Sequence, residues 1–168
     1  LWKGGVGQAL VWELDNAAGD YTQSQMYIAG LAGWEVKAIG DLDANGQADV
    51  VWQCTDAGNA FYTSVVAWLN WDGTNGGFTQ AVMWDSDDIG VDIPEQWVIQ
   101  GAGDFDGDGR DEILWKGGVG QALVWALDNP DGTYTQSQMY IAGLAGWEVR
   151  AIGDLDGSGS DDVVWQCT

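Results

Sequence analysis

The sequence predicts an all-β fold, a propeller-type array of four-stranded antiparallel blades, and three observations lead there. The chain repeats itself: residues 1–55 and 114–168 align without a gap at an offset of 113 and differ at nine of 55 positions. An Asp-rich turn occurs three times, once in each copy and once between them, each time running into an apolar segment that ends in Trp. Between the turns lie short runs rich in Val, Trp, Tyr and Thr, divided by Gly, Asn and Asp, which is how strands and their turns read. No segment sustains a 3.6-residue apolar period with caps.

The turns start at Asp41, Asp104 and Asp154, so they are spaced by 63 and then 50 residues, and the unit of duplication is a pair of unlike modules. The shorter module reads as strands at 112–116, 121–127, 134–142 and 147–152. Turns are expected at 117–120, 129–132 and 143–146. The longer module reads as strands at 49–54, 61–71, 78–84 and 96–100, with an acidic insertion at 85–95. That insertion reads as a solvated loop, with a further cation site or a partner-binding finger as the alternative. On this count the array divides into a partial short blade (1–40), a long blade (41–103), a short blade (104–153) and the start of another (154–168). A four-stranded sheet of about 50 residues is the size of a propeller blade, and rings typically use about four to eight. Three such modules need more blades, from a longer chain or from association of copies. Both ends fall within repeats, so the sequence is expected to be a window on a longer array.

Composition narrows the function classes. The chain carries 26 acidic and five basic residues, a formal net charge of −21, and no histidine. Such a surface repels nucleic acid and anionic membranes. A hydrophobic content of 46% with twelve Trp argues for a folded chain rather than a disordered acidic one. No apolar run is long enough for a membrane-spanning helix. Lack of histidine removes the usual general base, and the carboxylates sit in turns, so no enzyme is expected. Cys54 and Cys167 occupy one position of the repeat and read as small apolar residues closing a strand, with a bond to another chain or another array segment as the alternative.

Hard cations take six to eight oxygens, and the turns offer them at regular spacing. In the first, the side chains are Asp41, Asp43, Asn45 and Asp49, with the carbonyl of Gln47. In the second they are Asp104, Asp106, Asp108 and Glu112, with the carbonyl of Arg110. The third uses Asp154, Asp156, Ser158 and Asp162, with the carbonyl of Ser160. A Gly at position six is expected where a side chain would obstruct a sharp turn. Calcium suits this set better than magnesium, which holds to a rigid octahedron. An EF-hand is rejected because position twelve is Trp52, Trp115 or Trp165 and the flanks read as strands. Two carboxylates about 5 Å apart repel by about 3 kcal/mol at an effective dielectric near 20, so turns of this kind call for a cation. About three calcium ions are expected. Charge ranks the turn at 104–112 tightest and that at 154–162 weakest.

The string Gly103-Asp-Phe-Asp-Gly-Asp-Gly-Arg-Asp-Glu-Ile-Leu-Trp115, with its relatives at 40–52 and 153–165, resembles the FG-GAP/VCBS repeats of integrin-α-like propellers. The resemblance implies calcium held in a loop between consecutive strands, and an extracellular or cell-surface setting. It further implies adhesion, carbohydrate binding or service as an accessory domain of a larger secreted protein. The first expectation is a structural or adhesive array that self-associates. The alternative is a lectin-like module, for which Trp71 and Trp84 are the candidate glycan platforms. Trp12, Trp52, Trp68, Trp115, Trp125 and Trp165 are expected in the core between blades.

Overall fold

The computed structural model describes residues 2–3, 8–14, 21–27, 33–60, 62, 64–71, 78–84, 97–117, 121–127, 134–139 and 145–168. Among them are thirteen strands and no helix. Strands β1 (Trp2–Lys3), β2 (Gln8–Leu14) and β3 (Tyr21–Tyr27) form a three-stranded sheet in that order. Strands β4 (Trp34–Gly40), β5 (Asp49–Cys54), β6 (Val65–Trp71) and β7 (Phe78–Trp84) form a four-stranded one. So do β8 (Val98–Gly103), β9 (Glu112–Lys116), β10 (Ala122–Leu127) and β11 (Tyr134–Met139). The last sheet is β12 (Trp147–Gly153) with β13 (Asp162–Cys167). Every pairing is antiparallel.

Each acidic turn joins two paired strands of one sheet. Gly40 faces Asp49, Gly103 faces Glu112 and Gly153 faces Asp162, so both ends of every turn are pinned by the ladder. The grouping therefore differs from the sequence count, which made β12 the last strand of the short module. β8 and β12 instead open their sheets. The reason is local: a turn whose two ends meet as a hairpin pairs the strands that it joins. The strand before each turn also carries a bulge at one shared place, at Val36/Ala38, Ile99/Gly101 and Val149/Ala151. The extra residue increases the local twist just before the turn.

The core lies between sheets. β4 lies against β8, and β8 against β12. Val51, Val65, Ala67 and Leu69 from one sheet pack with Ile113, Trp115, Leu123 and Trp125 from the next. Leu114 and Val124 point the other way, into a second cluster with Val149, Val163 and Trp165. β9 thus buries both faces, Ile113 and Trp115 on one side and Leu114 on the other. Trp52, Trp115 and Trp125 are buried as the sequence leads one to expect, while Trp165 is half-buried. The side chains of Trp12, Trp68, Trp71 and Trp84, the turns at 118–120 and 129–132 and the insertion at 85–95 lie outside the described residues. Cys54 is buried, Cys167 is exposed, and both are free thiols.

One buried polar residue ties neighbouring sheets. Gln53, which follows Trp52, donates from Nε2 to the Trp97 carbonyl at 2.9 Å and accepts from the Ile99 amide at 3.1 Å. Lys116 follows Trp115 and donates to the Trp147 carbonyl, so in both four-stranded sheets the position after the strand Trp ties the sheet to the start of the next. Gln53→Ala leaves the buried Ile99 amide and the half-buried Trp97 carbonyl without this partner. It is expected to lower the unfolding free energy by about 1–3 kcal/mol, measured by urea unfolding.

A candidate metal centre in the acidic turns

The first residue of each turn organises it. Asp104 Oδ1 accepts from the amides of Gly107 and Asp108 at 2.7 and 3.1 Å, and Oδ2 from Gly109 at 2.9 Å. Asp154 accepts from Gly157, Ser158 and Gly159 in the same way. Asp41 accepts from Asn45 and Gly46. The third residue adds a bond to the amide at position five, from Asp43 to Asn45, Asp106 to Asp108 and Asp156 to Ser158. The ninth residue reaches back to the amide of the second. Asp49 accepts from Leu42 at 2.9 Å, Glu112 from Phe105 at 2.8 Å and Asp162 from Leu155 at 3.1 Å. The backbone is folded around its own carboxylates.

That folding brings the acidic groups together. One oxygen from each of Asp104, Asp106, Asp108 and Glu112 lies within 4.8 Å of the others, and the same holds for Asp41, Asp43 and Asp49 and for Asp154, Asp156 and Asp162. At position five of the other two turns, Asn45 Oδ1 accepts from the Gln47 amide at 2.7 Å and Ser158 Oγ from the Ser160 amide at 3.3 Å. Ser158 Oγ also donates to the Ser160 carbonyl at 3.4 Å. In the second turn Arg110 donates its amide to Asp108 Oδ1 at 2.9 Å, and its guanidinium pairs with Oδ2 at 2.8 Å. This hydrogen bond from the guanidinium holds the Asp108 carboxyl below its usual range. Arg110 thus cancels part of the charge on which the sequence ranked this turn tightest.

Glu112 is the informative ligand. It is 3% exposed, and while Oε2 takes the Phe105 amide, Oε1 has no hydrogen-bond partner. A buried carboxylate oxygen without a donor is costly. Burial, reinforced by the charges of Asp106, Asp104 and Asp108, pushes its pKa up to about 7. A cation would meet that oxygen, so the donor set fits a hard divalent ion. Asp154, exposed, is held below its usual range by the amide of Gly159 and its neighbours.

The glycines serve a different purpose from the one expected. A Cβ at Gly46, Gly109 or Gly159 would meet nothing within 4 Å; φ values of 86°, 89° and 92° are what demand glycine there. Position four turns the same way, with Gly107 at 79°, Gly157 at 76° and Ala44 at 59°. Only the first turn places a Cβ in that left-handed conformation.

Sequence reasoning missed position eight. Asp111 donates its amide to the Asp41 carbonyl at 2.8 Å and accepts from the Asp41 amide at 2.8 Å. Asp161 clasps Asp104 alike, at 2.6 and 3.1 Å. The first and second turns are thereby each gripped by the turn of the following sheet. Gly40 and Gly103 make room for the grip, since a Cβ there would stand 2.5 Å from Asp111 Oδ2 or 2.6 Å from Asp161 Oδ2. Burial raises the Asp111 pKa, and the nearby charges of Asp161, Asp41 and Asp104 add to it. The one available signal was that Ala48 and Asp161 differ between otherwise similar copies.

Residues 104–165 match the family model described as FG-GAP-like repeat. This segment is similar to FG-GAP-like repeats. The match runs from the first Asp of the second turn to the Trp after the third, so two of the three clusters lie inside it. The turn at 41–49, outside the matched FG-GAP-like segment, keeps the same spacing and hydrogen-bond plan. No curated protein and no solved structure matches the chain.

Ala44→Gly relieves a left-handed alanine and is expected to stabilise the fold by about 0.5–1 kcal/mol in denaturant unfolding. A Glu112 carboxyl raised from 4.5 to about 7 costs the metal-free fold nothing below pH 4.5 and progressively more as pH rises through 7. Cation binding must expel that proton, so calcium titration calorimetry is expected to show ~10-fold tighter binding at pH 8 than at pH 6 at the second turn. Glu112→Gln is expected to weaken binding there and flatten the pH dependence.

Proposed function

We propose that this chain is a non-catalytic, calcium-stabilised extracellular repeat protein with a structural or adhesive role, built of propeller-type blades and associating with further copies of itself. The observation that carries the reading is the buried Glu112 Oε1, unpartnered and within 4.8 Å of ligand oxygens on Asp104, Asp106 and Asp108. Calcium at this point satisfies the orphaned oxygen and relieves the mutual repulsion of the turn. Three bound ions would offset six of the 21 net negative charges. They would also fix the hairpins that open three of the sheets and, through Asp111 and Asp161, the spacing of one sheet from the next.

An extracellular setting suits the affinity class. Modules of this kind bind calcium at about 0.1–1 mM, which is met outside cells. At tenfold excess over the dissociation constant each site adds about 1.4 kcal/mol, so three add about 4. The FG-GAP-like match supports the same setting. Among the described residues no helix is long and apolar enough to cross a membrane.

Differential scanning calorimetry tests the reading. Excess EGTA is expected to lower the melting temperature by on the order of 10 °C, and calcium, not magnesium, to restore it. A melt that is the same with and without chelator removes calcium from the account.

A further inference from the structure

Position eight of a turn stands between two of its ligand positions and grips the first residue of the turn before it. In the second turn Asp111 lies between Arg110, whose carbonyl is a candidate ligand, and Glu112, whose Oε1 is the orphaned oxygen. It holds both backbone groups of Asp41. The Asp111 amide donates to the Asp41 carbonyl and the Asp111 carboxylate accepts from the Asp41 amide, each at 2.8 Å. Asp41 is itself the residue whose side chain gathers the amides of Asn45 and Gly46 and joins the first acidic cluster. Asp161, between Ser160 and Asp162, holds Asp104 in the same manner at 2.6 and 3.1 Å.

The contact has little slack. A Cβ on Gly40 would stand 2.5 Å from Asp111 Oδ2 and 2.8 Å from the Asp111 Cβ, and one on Gly103 2.6 Å from Asp161 Oδ2. Contacts packed this closely shift between discrete arrangements rather than deform smoothly. An ion that engages the Arg110 carbonyl and Glu112 holds the chain on both sides of Asp111, and Asp111 then offers Asp41 a fixed donor and a fixed acceptor.

We propose that position eight couples the calcium sites, so that an ion in one turn raises the affinity of the turn which that one grips. Asp111 couples the second turn to the first, and Asp161 couples the third to the second. The effect is reciprocal, as linkage requires. The first ion meets the cost of ordering the clasp, and the next enters a turn already set. Plain electrostatics gives the opposite sign, because an ion makes its turn less negative and so weakens cation binding next door.

The coupling rests on the calcium reading given under Proposed function, and one titration separates the two. The amides of Gly46, Gly109 and Gly159 each donate to the first Asp of their own turn, at 2.7, 2.9 and 3.0 Å, so their resonances report the three turns individually. Calcium is titrated into the 168-residue chain and followed by nitrogen–proton correlation spectra. Asp106→Asn, which removes a ligand of the second turn, is expected to move the Gly46 midpoint to about fivefold higher calcium. Three carboxylates without an ion leave that turn more negative than four with one, so charge alone would move the midpoint the other way. Asp111→Ala keeps every candidate ligand side chain and gives the second turn the residue that the first has at position eight, Ala48. In that background Asp106→Asn is expected to move Gly109 and leave Gly46 where it is. Asp111→Asn retains an acceptor for the Asp41 amide and is expected to restore the transfer. Asp161→Ala is expected to leave the response of Gly46 to Asp106→Asn intact, which a general loosening of the fold would not.

A Gly46 midpoint that stays or falls in the Asp106→Asn chain overturns the coupling and spares the calcium reading, and this comparison needs no change at Asp111. A midpoint that rises equally with Asp111→Ala present overturns Asp111 as the route. Glycine amides indifferent to calcium in the unsubstituted chain overturn the calcium reading and the coupling together.

Discussion

Like charge gathered at the turns is the constraint on which the rest of this molecule depends. Three or four carboxylates converge within 4.8 Å at each of three hairpins, and their repulsion must be met for the hairpin to close. Part of the answer is in the chain. Asp41, Asp104 and Asp154 each gather two or three backbone amides, and the ninth residue takes one more. The remainder is concentrated at Glu112, where one buried oxygen is left without a donor. The same turn is thus a structural corner and a candidate cation site, and the two roles share their residues.

From the turns the architecture follows outward. Pinning Gly40 to Asp49, Gly103 to Glu112 and Gly153 to Asp162 fixes which strands pair. The strand leaving each turn carries apolar side chains on both faces, so every sheet must be covered on two sides. Leu114 and Trp115 show the consequence, pointing to opposite neighbours and both essentially fully buried. Sheets stack because no single one can hide its own residues, and the grip of Asp111 on Asp41 and of Asp161 on Asp104 sets how they stack.

Much of this was legible in the sequence, for reasons that can be named. The limits of β5, β7 and β9 are fixed by apolar runs flanked by Asp, Gly and Asn, and observed strands coincide with the expected ones. Acidic residues at turn positions one, three and nine were readable from a spacing repeated three times. The bulges at Val36, Ile99 and Val149 were not, because one extra residue leaves the apolar pattern nearly intact. Nor was the clasp, since Asp111 meets a residue 70 positions away and carries no local signature. The Arg110 guanidinium has no sequence signature either, since the spacing of the turn points only to its carbonyl and the ion pair with Asp108 is a matter of side-chain geometry. Burial resisted most of all: Cys54 and Cys167 lie in the same six-residue strand sequence, and their opposite exposure depends on which strands lie beside them.

Anomalous diffraction from crystals grown in calcium addresses the central claim most directly. The account predicts one anomalous peak inside each of the turns 41–49, 104–112 and 154–162, with Glu112 Oε1 among the oxygens that touch the second. Turns without anomalous density at saturating calcium, with Glu112 bonded instead to a protein donor or a water, would contradict it.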